Sequence, residues 1–559
     1  MRTGAFRTLA ALCLLSYGVS ALAATATPPL TLGDLVRAGK RDSVLAAITS
    51  PDVDVNEKAP DGSTALMWAT FNVDRELVRA LLKAGAKADV TNSYGGTALS
   101  EAVKVEDIEL VRLLLDAGAN VNSPNLDNQT ALMLAVSTSS LPISKLLVER
   151  GANVNAVETF RDQNALMWAA GGNQPDIVDL LLAHGAKNVD LRAKDDDWPR
   201  QMTSEPRAQF QSRQTGGLTA LLYATRSGCY RCTVALVKAG ADVNKPNPDG
   251  VTPLINALDN KRFDIAMFLL DKGANPNTWD MSGRTPIYVA VDMNSFVAGG
   301  FGGGGGRGTG GFPAAEGQRE TSGPSPVTAM AVANRLIEAG VDVNHQLTRK
   351  RPYGAGRGRF EDYDIRGGVG PLFVATMRHD HEAMKALLAH GAEVDLPNVV
   401  QMTPLMLAVG MTVTGRPVGG VPPAPGGDVQ TRAIKTIDLL LDAGANINTQ
   451  VLGSRTHTGK LMAYVSGKDQ EGRTALFPAA EGGRDRIVKH LLERGADPSV
   501  RDAAGKTALD YARAPAPPSG PAGAAAAGAA TAAERTATVA LLEPVTPKSN
   551  PAASAVSAR

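Results

Sequence analysis

The sequence predicts an all-α fold, a solenoid of about 10–12 stacked helix pairs with short β-turn or hairpin loops and flexible insertions. Three observations carry that prediction. One phrase is rewritten along the chain as "ELVRALLKAGAKADV" (76–90), "ELVRLLLDAGANVNS" (109–123), "DIVDLLLAHGAKNVD" (176–190) and "RIVKHLLERGADPSV" (486–500). Its glycine falls at Gly85, Gly118, Gly151, Gly185, Gly240, Gly273, Gly340, Gly391, Gly444 and Gly495, so a unit of about 33 residues repeats and is sometimes lengthened. A second phrase precedes each first one: "GSTALMWAT", "NQTALMLAV", "GVTPLINAL" and "GRTALFPAA" are four of its copies. Finally, hydrophobic residues make up 43% of the chain but aromatic ones only 4%, against 58 glycines. Such a core is aliphatic and alanine-rich, which suits small helices stacked closely.

Each element of the unit has a local cause. The threonine of the second phrase caps a short helix whose Leu and Ala recur on one face, and proline after it fits N1, where the N–H has no intrahelical partner. The glycine after the longer helix supplies a left-handed C-cap. One unit therefore reads turn, short helix, turn, longer helix, turn. A single pair cannot bury its apolar stripe, so neighbours must stack.

These residues resemble the ankyrin repeat, with its G-x-T-P-L-H-x-A followed by V-x-x-L-L-x-x-G-A-D-V-N, over most of the chain from about 30 to 515. Ten units are clear; "LGDLVRAGKRDSVLAAITSPDVDVN" (32–56) reads as a capping first unit, and "AGKTALDYA" (504–512) opens a last one that "ERTATVALLEP" completes. The family's histidine is replaced here by Met67, Ser100, Met133, Met167, Leu222, Ile255, Tyr288, Phe373, Met406 or Phe477, which removes the hydrogen bonds it ordinarily makes between turns.

The organisation follows. Residues 1–23 read as a signal peptide, 24–57 as an N-terminal capping repeat, and 58–192, 215–293 and 369–409 as repeats. Insertions at 193–214, 346–368 and 450–470 follow the end of a second helix. A Gly-rich one at 294–326 and a Pro/Gly-rich one at 410–430 split a pair, whose remainders are 327–345 and 431–449. Residues 471–545 hold the C-terminal repeats and cap with an Ala/Pro-rich linker, and 546–559 a disordered tail. "AGGFGGGGGRGTGGF" (298–312) lacks the apolar surface to order itself.

The leader carries Arg2 and Arg7, an apolar run from Leu9 to about Val19, and Ala21-Leu22-Ala23 as a small-residue cleavage site. The apolar run is shorter than the roughly 20 residues of a spanning helix. The expectation is export to the periplasm or beyond, without stable membrane insertion. With 57 basic and 56 acidic residues the charge is balanced, which argues against a nucleic-acid partner.

Cys229 and Cys232 are the two cysteines outside the leader. Cys232 takes the place held by Leu77, Ile177 or Ile487 in other units, a core position, and Cys229 begins the helix. Export makes a local disulfide the natural reading, while a thiolate at a helix start leaves a redox role open. A βαβ context for a thioredoxin-type site is absent from the pattern, Thr233 stands where haem attachment needs histidine, and two cysteines fall short of a zinc site. "HDH" (379–381) offers two metal ligands without a third, so neither a metal nor a cofactor is expected. "TRKRPYGAGRGRF" (348–360) reads as a flexible loop, with a partner-docking arm as the functional alternative.

In the ankyrin family, partners are commonly read at turn tips and at the ends of first helices, on the concave face. Carried to this sequence, the resemblance implies Tyr94, Phe160 and Arg161 at tips, and Phe71, Lys104, Arg226, Asp259 and Glu481 after first helices. Trp68 and Trp168, in "ALMWA", read as core. The function implied is binding of another protein without catalysis, with a redox protein or a secreted effector acting on a host as alternatives.

Overall fold

The computed structural model describes residues 31–195, 216–297, 325–348, 368–399, 401–410, 429–452, 471–514 and 531–547. The leader, most of each insertion, the Ala/Pro-rich linker and the end of the tail lie outside them. Among the described residues there are 24 helices and no strand. The chain divides into two compact units, Met1–Asn120 and Val121–Arg559.

The first unit holds three helix pairs, opening with Leu32–Arg37 and Arg41–Ala47 and ending with Ala98–Lys104 and Ile108–Asp116. The second holds nine, from Ala131–Ser137 with Leu141–Glu149 to Ala508–Ala512 with Ala532–Leu542. First helices are short because their signals are close together. In Ala131–Ser137, Thr130 Oγ1 accepts from the N–H of Met133 at the start, and the chain turns left-handed at Ser139 only two residues past the end. Gly495, at φ +95°, ends the second helix Asp485–Glu493: its N–H donates to the Leu492 carbonyl (3.1 Å) and the N–H of Ala496 to that of Leu491 (2.9 Å). Only a residue tolerant of that dihedral closes both bonds without strain.

The core is built as its composition dictates, from Leu, Ala, Val, Ile and Met, with Tyr288 and Phe477 the largest side chains fully buried. Except for Ser100, the positions where the family keeps its histidine carry buried apolar or aromatic side chains here, Met133, Met167, Ile255 and Met406 among them. Turns are joined instead by asparagine rungs. In the first unit Asn56 Nδ2 donates to the Gly85 carbonyl (3.2 Å) while its Oδ1 accepts from the Lys87 N–H (2.7 Å). In the second, Asn122, Asn155, Asn244, Asn344 and Asn448 do the same toward Gly151, Gly185, Gly273, Gly391 and Gly495. Asp190 and Asp395 keep only the accepting half. Asn448→Ala removes both bonds of one rung and is expected to cost about 1–2 kcal/mol, with Asn448→Asp in between. Urea unfolding of the three proteins checks it, and equal stability of all three refutes it.

Three insertions follow the second helices Pro175–Ala183, Ala329–Glu338 and Val429–Asp442, and the described chain on either side of each is joined by a short paired stem. Gly217 N–H donates to the Lys194 carbonyl, Leu347 and Val369 are paired below the second departure, and Val451 N–H donates to Arg473 below the third. Below each departure the turn keeps its place; Thr348 N–H, for example, still donates to the Ser282 carbonyl of the preceding turn (3.1 Å).

Candidate protein-binding surface

In the first unit, Phe71 ends the helix Ala65–Phe71 exposed, with its ring edge-on to Trp68 (5.9 Å). The guanidinium of Arg37 lies over the Trp68 indole (5.8 Å). Tyr94 is exposed at the tip of its turn. Lys104 ends the next first helix, paired with Glu101 at 2.9 Å.

In the second unit, Phe160 is 69% exposed and Arg161 lies beside its ring (5.6 Å). The tip that carries them is fixed from below by Glu158, which is buried and accepts from the backbone N–H groups of Phe160, Arg161 and Gln163 at 2.6–3.0 Å. A carboxylate closing a turn on three amides makes a rigid mount. On the first helices behind it, the Trp168 indole N–H donates to Gln163 Oε1 (2.8 Å), and Gln163 Nε2 donates to the Tyr223 hydroxyl. Arg226 lies over the Tyr223 ring at 5.0 Å. Loss of solvent around the guanidinium, opposed by Tyr223 and aided by the charge of Arg161, lowers the pKa of Arg226 from the ordinary arginine value. Phe160, Arg161, Trp168, Tyr223 and Arg226 thus form one patch of aromatic rings and guanidinium groups, the side chains that dominate interface energetics.

The sequence reading places Trp68 and Trp168 in the core, and the structure corrects it: both are half-buried. They stand four residues after the cap, where Tyr223 also stands, and that register faces the surface of the first helices. Asp259 and Glu481 are half-buried, each held by an arginine. Arg284, largely buried, bonds Asp259 (2.8 Å) and Asp280 (2.6 Å) together. Burial opposes its charge, but the two carboxylates outweigh it and raise its pKa. Arg473, also buried, holds Glu481 (3.1 Å) and lies over the Tyr511 ring (4.0 Å). Both arginines sit directly before the threonine of the second phrase, in "GRTPIYVAV" and "GRTALFPAA", a signal the other copies lack.

Cys229 and Cys232 are joined in a disulfide across the start of the helix Tyr230–Lys238, with Cα atoms 5.2 Å apart and both side chains fully buried. Exchange with an outside thiol requires that helix start to open. Closing so small a loop contributes about 2 kcal/mol in the chain-entropy model. Cys229→Ser/Cys232→Ala is therefore expected to lower the urea midpoint modestly while preserving the helical circular dichroism; an unchanged midpoint contradicts it.

His379 and His381 converge on one hydroxyl, Nδ1 of the first and Nε2 of the second lying 2.8 and 2.9 Å from Thr436 Oγ1. Among the described residues no group of three or more histidines, cysteines or carboxylates is placed to hold a metal ion. No described helix is long and apolar enough to cross a membrane.

Comparison with known families places this architecture. A model of ankyrin repeats in three copies matches residues 32–125, 119–195 and 221–298, and a model of ankyrin repeats in many copies matches 465–512. The chain belongs to the ankyrin repeat family. Ankyrin repeats are protein-interaction modules, and the patch around Phe160 and Arg226 lies within two matched segments. No curated protein matches the chain.

Proposed function

We propose that this chain is an exported, bacterial-type ankyrin scaffold that binds another protein and catalyses nothing itself. The observation that supports it most is the patch in the second unit. Glu158 fixes the backbone of the turn tip and hydrogen bonds through Gln163 fix Trp168 and Tyr223 on two neighbouring first helices, so binding orders little of the frame that carries the rings and arginines. Export rests on the leader "MRTGAFRTLAALCLLSYGVSALA" and accords with the disulfide.

The test is capture with residues 24–559 from the envelope of the source cells, in parallel with two variants. One carries Phe160→Ala and Arg226→Ala in the second unit, the other Phe71→Ala and Tyr94→Ala in the first. One dominant protein lost in the first variant, with its melting curve unchanged, is the expected result. Retention of that protein by both variants moves binding off these faces, and no specific retention sinks the scaffold reading. Fractionation of the same cells tests export: mature protein outside the envelope favours an effector, and an uncleaved cytosolic protein overturns export altogether.

A further inference from the structure

The asparagine rungs have a gap in the second unit, and it is not empty of chemistry. By register Asn277 should bond the Gly340 carbonyl and the Asp342 N–H, as Asn244 bonds Gly273 and Asn275. Among the described residues its side chain makes neither bond, and a pocket of about 230 Å³ opens there, lined by Asn277, Trp279, Ile287, Val341, Asp342 and His345 among others. Trp279 is 60% exposed although His345 stacks against it (5.6 Å between centroids, planes 26° apart). It stands where other turns carry Thr91, Pro124 or Pro246, so the indole is particular to this place. Asp342 spends one oxygen on the Asn344 N–H (2.9 Å) and forms no ion pair among the described residues. His345 Nε2 is buried without a hydrogen-bond partner among them.

We infer that this pocket receives the guanidinium of an arginine from a partner protein, an inference that rests on the scaffold reading above. The lining selects that group by its needs. An exposed indole takes a flat cation on its face. Asp342 and the Asn277 side-chain oxygen are acceptors beside that face and call for several donors on one cation. A guanidinium has five N–H donors in a rigid plane and a diffuse charge that stacks. An ammonium matches the charge but not the plane, a neutral aromatic leaves the acceptors unpaired, and a carboxylate is repelled by Asp342.

The experiment titrates the full mature chain with acetyl-Gly-Arg-Gly-amide, following binding by NMR or calorimetry, with lysine and citrulline peptides as matched probes. Arginine is expected to bind at least about fivefold more tightly than either, and Trp279→Leu and Asp342→Asn each to weaken it about tenfold with no change in melting. Equal binding of citrulline, or indifference to both substitutions, overturns the inference. Arginine binding that appears only after residues 349–367 are replaced by a Gly-Ser linker also overturns it, since the pocket then belongs to arginines of this chain. Failure here with capture through Phe160 and Arg226 intact leaves the scaffold reading standing, whereas arginine binding without any captured protein removes that reading and keeps the pocket.

Discussion

Arg284→Ala is expected to destabilise the second unit by about 3–5 kcal/mol, the usual cost of stranding a buried charge. The guanidinium lies between Asp259 and Asp280, Asp292 also acts on Asp259, and Asp280 is almost wholly out of solvent. Removing it leaves two carboxylates near one another with no counter-charge. The control is a variant that adds Asp259→Asn and Asp280→Asn to Arg284→Met, which removes the arginine and both carboxylates it bonds and should recover most of the loss. Stacked repeats can open in parts, so the readout is hydrogen exchange in Pro253–Asp259 as well as the urea transition. A loss under about 1 kcal/mol, or no recovery in the control, would show that the cluster is solvated and its charges independent.

Stability is also expected to fall as the pH drops from 6.5 to 4, through His379. Burial, followed by the charges of His381, Arg432 and Arg484, pushes its imidazole down to about 4. In the unfolded chain it titrates near 6.5. Between those values the unfolded state binds a proton that the native state refuses, so the unfolded state gains as the pH falls. The contribution is fully present above about pH 6.5 and gone at about pH 4, and its size is about 3 kcal/mol. His381 shifts in the same direction, first by burial and then by Lys435 and Lys385, opposed by a backbone hydrogen bond with Arg432 and by Asp380. His379→Asn is the informative variant, because asparagine tolerates the left-handed backbone at this position (φ 53°) and still reaches for Thr436. Its stability difference between pH 7 and pH 4.5 should be smaller than the wild type's by most of that amount. Identical differences in the two proteins would assign the acid sensitivity to other groups.

Much of the fold was legible because its causes are local. Thr130 and the glycines after second helices announce helix ends within a few residues of themselves, and the 33-residue period announces the stacking. The candidate surface was legible in part, and the boundary falls where a side chain answers to another repeat. Phe71, Tyr94 and Phe160 are exposed because little stands near a turn tip or a first-helix end, and sequence position suffices for that. Asp259 is drawn in and half-buried because Arg284, in the next repeat, comes to meet it. Trp168 reads as core by size and hydrophobicity, yet its register on a short helix leaves it at the surface with Tyr223. The stems under three insertions were invisible for a related reason: a pairing such as Leu347 with Val369 has no periodicity to betray it.

Those stems separate what a turn must do from what its tip may become. A chain that leaves above Lys194, Leu347 or Val451 and returns at Gly217, Val369 or Arg473 re-enters with its backbone already paired, so nothing below depends on the length of the excursion. Doubling such an excursion costs only about 0.6 kcal/mol of closure entropy. The three sites therefore behave as sockets, into which new peptide can be grafted and displayed while the repeats beneath go on reading one another as before.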